Sequence, residues 1–170
     1  AMNAISSSSA AMNAISSSST AMSSLANNSI SYIKNNWVKY EYTLSSSQSI
    51  QGPNSYDKGS PPVAVVYYAE VRGAGGGGAG YQEYESAGNG GGSSFGPISA
   101  QGGNGGDPVY GNEAYDHGSP GVNTDNTSSP SQVTENITGG ANNGGPSQHQ
   151  ESGNGGDGGY IAALIANSDK

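Results

Sequence analysis

Glycine placement constrains this chain more than any other feature. Of its 29 glycines, 27 lie between Gly73 and Gly159, all but Gly52 and Gly59. They fall in short tracts at 73–80, 88–92, 102–106, 139–145 and 153–159. In three of these a polar residue recurs at every third position with glycine at the other two: Asn89-Gly-Gly, Asn104-Gly-Gly-Asp107 and Asn154-Gly-Gly-Asp157. A left-handed helix of the polyproline II type has three residues per turn, so Asn104 and Asp107 would line one edge and leave two edges of bare backbone. Bare edges permit close approach of neighbouring strands, as glycine does at the collagen axis. Such a helix makes no internal hydrogen bonds, so its N–H and C=O groups must be matched by neighbours or water. The tracts are therefore expected to pack as polyglycine II-type helices.

Composition pulls the other way. Only 21 of 170 residues are Leu, Ile, Val or Phe, and the net charge is −8, which is the range of disordered chains and flexible linkers. Two features oppose a linker: the triplet phase recurs in separate tracts, and apolar strand-like segments bracket the region at Pro62–Val71 and Tyr160–Ala166. With so few apolar side chains, order must come from backbone hydrogen bonding or from a core shared between chains, so oligomerisation is expected. Five Lys and Arg residues argue against nucleic acid and anionic membranes as partners. The absence of cysteine rules out disulfides and thiolate metal sites. No apolar run approaches a membrane span, so no membrane insertion is expected. A chain that opens on Ala1 without a signal-peptide pattern reads as the end piece of something longer.

Residues 1–30 repeat a decapeptide. Ala-Met-Asn-Ala-Ile-Ser-Ser-Ser-Ser-Ala recurs almost unchanged at 11–20 and decays over 21–30, keeping Met2, Met12 and Met22 in phase with Ile5, Ile15 and Leu25. A gap of three places Met and Ile on one helix face. A ten-residue period equals a heptad plus three, the stammer pattern that overwinds a coiled coil. The serine runs are poor helix formers and would suit a disordered tether. Exact repetition of an apolar pair points instead to stacked units, and the reading is a narrow multi-chain stalk, helical in preference to β.

Residues 31–72 read as a small β connector. Trp37 to Leu44 alternates in character, and Val63 to Val71 is the most hydrophobic strand pattern in the chain. Beyond it, 81–87, 93–101, 107–138 and 146–152 read as loops between the tracts. Phe95 and Ile98 form an apolar plug in the second of these, and the third is unusually long. Tyr160 to Ala166 closes the chain as a strand or a short apolar helix.

Catalytic signals are poor. His117 and His149 sit in polar loops with no nucleophile elbow near them. The carboxylates of Glu83, Glu85, Glu113 and Asp116 could serve as an acid–base pair in glycan cleavage, a role set by a separation that sequence does not measure. Gly102 to Tyr110 matches one calcium-binding nonapeptide, a pattern that needs tandem copies, and no second copy follows. No metal or cofactor is expected. Recognition chemistry is better supplied. Eleven tyrosines are present, and tyrosine offers a flat apolar face with a polar tip at low entropic cost. The candidate contact residues are Tyr110, Asn112, Tyr115, Asp116 and His117 in the long loop, with Tyr81 and Tyr84 next.

These residues resemble a known pattern. The strand running into Gly73-Ala-Gly-Gly-Gly-Gly, then Gly90-Gly-Gly-Ser-Ser-Phe-Gly-Pro-Ile-Ser-Ala-Gln-Gly-Gly-Asn-Gly-Gly106, then Gly-Gly-Asp-Gly-Gly-Tyr-Ile161 is similar to the glycine-rich domain of tailed-bacteriophage tail fibres and adhesins. The decapeptide resembles repeats of tail-fibre shafts. The resemblance implies a homotrimeric, extracellular fibre tip on the virion, attached to other tail proteins. Its polyglycine helices would hold loops that touch a bacterial surface polysaccharide or outer-membrane protein, without enzymatic activity. The expected architecture is fibrous with minor β: a stalk at 1–30, a connector at 31–72 and a glycine-rich tip at 73–170. A purely structural fibre or sheath, or a polysaccharide depolymerase, are the alternatives.

Overall fold

The computed structural model describes residues 8–36, 66–79, 86–107, 117–140, 144–146 and 153–166. These hold three short helices, α1 (Ser9–Ser16), α2 (Ser19–Asn28) and α3 (Ile30–Asn36). They also hold six strands: β1 (Tyr67–Arg72), β2 (Ser93–Phe95), β3 (Ile98–Ala100), β4 (Asn123–Asp125), β5 (Gln132–Ile137) and β6 (Tyr160–Ile165). The strands form two small antiparallel sheets, ordered β1-β6-β5 and β2-β3-β4. The chain divides into two compact units, 1–69 with 127–134 and 163–170, and 70–126 with 135–162. No helix among the described residues is long and apolar enough to cross a membrane.

In the first unit the decapeptide becomes one helix plus one cap. The hydroxyl of Ser8 accepts from the Ala11 N–H at 3.3 Å, and ten residues on the hydroxyl of Ser18 accepts from the Ala21 N–H at 3.2 Å. Serine is a poor interior residue but a strong N-cap, because its oxygen satisfies an otherwise orphaned donor. The serine run thus ends one helix and begins the next. The apolar phase does what the spacing predicts: Met12, Met22 and Leu25 are buried and Ile15 packs beside them. Ile33, Val66, Leu164 and Ala166 complete the cluster. Helices of this length are marginal alone, so burial of this face holds them. Helix continues past the repeat, since α3 adds Ile33 to the same core. Residues 37–65, including the alternating pattern at Trp37–Leu44, lie outside the described residues. Burial raises the Tyr67 phenol above its ordinary value.

β6 is buried at every position, as expected of a strand covered on both faces, which settles Tyr160–Ile165 as a strand. Two stretches read as loops contain strands. Ser93–Ala100 is a hairpin pairing Phe95 with Ile98, turned by Gly96-Pro97. Gly96 has φ +52°, matching the positive φ that a type II′ turn requires at its first central position. Ile98 is fully buried, so the apolar plug is half of a strand pair. Within 107–138, β4 pairs with β3 and β5 joins β6. Asn123 secures β4: its Nδ2 lies 2.8 Å from Asn136 Oδ1, 3.0 Å from the Ile137 carbonyl and 2.8 Å from the Tyr160 carbonyl.

The second unit is organised by the glycine tracts. Tract I (73–79), II (86–92), III (101–107), IV (117–122), V (144–146) and VI (153–159) are neither helix nor sheet by backbone pattern. Their hydrogen bonds run between tracts and recur every third residue. Gly73, Gly76 and Ala79 donate to Gly159, Gly156 and Gly153 at 2.9–3.0 Å, joining tract I antiparallel to VI. Ala74 and Gly77 donate to Gly91 and Gly88, joining I to II. Gly103 and Gly106 donate to Ala74 and Gly77, joining III parallel to I. Tract III also accepts from Ala87 and Gly90 of II, donates from Gln101 and Asn104 to Val122 and Ser119 of IV, and accepts from Gly156 and Gly159 of VI. Three is the repeat of the extended left-handed helix. Side chains obey the same period: Gln101, Asn104 and Asp107 are exposed, whereas Gly103 and Gly106 are buried. A Cβ at Gly76 would fall on the carbonyl oxygen of Asn104, and one at Gly103 on that of Gly156. Only glycine lets backbones approach this closely.

Candidate binding end of the glycine bundle

The inter-tract bonds fix which chain ends meet. Tract I ends where VI begins, with the Ala79 N–H on the Gly153 carbonyl at 3.0 Å. The Gly153 N–H donates in turn to the Asp107 carbonyl at 3.2 Å, at the end of tract III. Ala87, at the start of II, donates to Gly106 at 3.0 Å, and Gly118, at the start of IV, donates to Asn154 at 2.8 Å. The residues flanking 80–85, 108–116 and 147–152 are therefore gathered at one end of the bundle. At the other end, tract I follows β1 and tract VI leads into β6.

Side chains reinforce this end. The Ser86 hydroxyl donates to the Asp107 carboxylate. The Asn154 N–H donates to Nδ1 of His117 at 2.9 Å, tying IV to VI through an imidazole. In neutral histidine an accepting Nδ1 places the proton on Nε2. The Asn89 carboxamide oxygen accepts from the Gly105 N–H at 2.8 Å, and Asp157 Oδ1 accepts from the Gly144 N–H at 2.8 Å.

Of the candidate contact residues, His117 lies here, exposed, at the start of tract IV. Tyr81, Tyr84, Tyr110, Asn112, Tyr115 and Asp116 lie outside the described residues, in the segments whose flanks converge on this end. A shallow groove of about 280 Å³ opens beside His117, between tracts IV and VI, lined also by Gly118, Pro120, Asn154, Gly155, Gly156 and Asp157. Asn154 and Asp157 were not among the expected contacts, although the triplet pattern had marked them as the side-chain edge of their tract. Among the described residues no cluster of three or more His, Asp or Glu could hold a metal ion.

Comparison with protein families, with curated proteins and with solved structures finds no match to this chain.

Proposed function

We propose that this chain is the receptor-binding tip of a bacteriophage tail fibre, a non-enzymatic module that attaches to a bacterial surface. In this reading the tracts are packed polyglycine II-type helices that act as a rigid holder. The segments 80–85, 108–116 and 147–152 carry recognition residues, Tyr81, Tyr84, Tyr110, Asn112, Tyr115 and Asp116 with His117. The observation that carries the reading is the convergence of their flanking residues on one end of a bundle held by backbone hydrogen bonds. Binding residues commonly sit on loops positioned by a rigid scaffold, and a bundle that needs no particular side chains leaves those loops free to specialise. The acidic charge of −8 suits neutral or basic surface ligands better than polyanions. The decapeptide region would trimerise the tip at the end of a virion fibre, joined to other tail proteins.

The test is adsorption. Fluorescently labelled full chain is applied to a panel of bacterial cells, alongside a variant with Tyr110→Ala and Tyr115→Ala. Cell binding by the parent that the variant loses, with an unchanged melting temperature, supports attachment through this end. No binding to any strain, or equal binding by the variant, would assign the chain to a purely structural fibre. Sedimentation of the same sample tests the trimer.

A further inference from the structure

We propose that the groove between tracts IV and VI is a saccharide subsite that takes a single neutral pyranose ring. This rests on the attachment reading above and gives its ligand a chemical class. Gly118, Gly155 and Gly156 line the groove with bare backbone, so at these three positions a flat ligand can approach the bundle closely. His117 and Pro120 line it too, and their rings are of the kind that a sugar's axial hydrogens pack against. Asn154 and Asp157 lie one turn apart on tract VI, about 9 Å at the rise of this helix, and bracket the space between them with planar hydrogen-bonding groups. Asp157 uses Oδ1 to accept from Gly144, and among the described residues Oδ2 has no partner, leaving it available to a hydroxyl.

Charge selects the class. Among the described residues no Lys or Arg lines the groove, and a carboxylate does, which disfavours phosphate, sulfate and uronate ligands. The groove is also fixed before any ligand arrives. The carbonyls of Asn154 and Asp157 accept from Gly118 and Gly121, the Gly155 N–H is held by the Gly145 carbonyl, the Gly156 N–H by Asn104, and the His117 ring by the Asn154 N–H. A ligand entering such a site orders little of the protein, which lowers the cost of a weak, shallow contact.

The full chain, labelled with ¹⁵N, is titrated with the methyl glycosides of glucose and galactose, with N-acetylglucosamine, and with inorganic phosphate. The expected result is saturable shifts of the Gly118, Asn154, Gly155, Gly156 and Asp157 amides by at least one sugar and none by phosphate. Asp157→Asn keeps an acceptor for Gly144 and removes the charge, and should weaken sugar binding by about tenfold, the scale of one charge-assisted hydrogen bond. Asn154→Phe places a bulky ring at the groove and should abolish binding, with the amide shifts of tracts I to III checking that the bundle is intact. The proposal is overturned by the absence of shifts with every sugar, by phosphate shifting the same amides as strongly, or by binding that neither variant changes. The attachment reading is judged separately. If the sugars fail while the tyrosine variant still loses cell binding, attachment stands and the groove is not its subsite. Sugar binding here without cell binding keeps the groove and removes attachment.

Discussion

Gly103→Ala is the most direct test of the bundle. Gly103 is buried in tract III, and its added methyl would fall on the Gly156 carbonyl oxygen, with the Gly156 carbonyl carbon and Asp157 oxygen just behind. None of these can swing aside, because each is backbone. Gly156 is also fixed from two sides, donating to Asn104 at 2.8 Å and accepting from Gly76 at 2.9 Å. Relief requires tracts III and VI to part, stretching the Gly156–Asn104 and Gly159–Gln101 bonds that join them. Two such bonds contribute about 1–3 kcal/mol net, and forcing a methyl into a packed interior adds about 1–3 kcal/mol. A total near 4 kcal/mol lowers the melting temperature by roughly 8–16 °C in a chain of this size. Gly88→Ala is the matched control. A Cβ there meets nothing within 4 Å, so the loss of unfolded-state freedom should stabilise by about 0.4–1 kcal/mol. Thermal and urea denaturation of the three proteins decides the matter. Equal stability of Gly103→Ala and Gly88→Ala would refute the packing of III against VI.

Three further changes probe other parts. Met22→Ala empties a fully buried position in the helical core and should cost about 2–5 kcal/mol by urea denaturation followed at the helical circular dichroism band. Asn123→Ala strands the Ile137 and Tyr160 carbonyls and should cost about 1–3 kcal/mol. Asn123→Asp should cost more, because a carboxylate would face those carbonyls. Tyr67 has its phenol raised by burial; its neutral form is the one favoured by folding, so its contribution is complete below its unfolded value near 10 and is lost as pH rises above that. Tyr67→Phe should therefore flatten the alkaline fall in stability between the parent at pH 9 and at pH 11, and an unchanged fall would refute burial of the phenol.

The parts legible in sequence are those with a period. Asn104 and Asp107 announce the exposed edge of tract III because glycine fills the other two positions, and Met12 with Met22 announces a buried face because the repeat is exact. Strands too short to show a period were missed. Ser93–Phe95 and Ile98–Ala100 offer three residues each, and only Gly96-Pro97 signals the turn between them. Gln132–Ile137 has two aliphatics among four polar residues, and it is a strand because it lies beside the wholly apolar β6. The Asn123 clamp had no signal at all, since its acceptors lie 13 to 37 residues away. The groove was half legible: Asn154 and Asp157 stood out in the triplet pattern, but only the register of IV on VI places His117 and Pro120 beside them.

The inter-tract bonding carries a calorimetric consequence. A conventional core gains most of its stability from apolar side chains, so unfolding raises the heat capacity by about 12–15 cal/mol/K per residue, and the core weakens on cooling. The glycine bundle buries peptide groups instead, whose exposure lowers heat capacity. Its melting should therefore show a small heat-capacity step and a broad, shallow stability curve. The bundle would hold its shape in the cold, where a module built on leucine and valine begins to loosen.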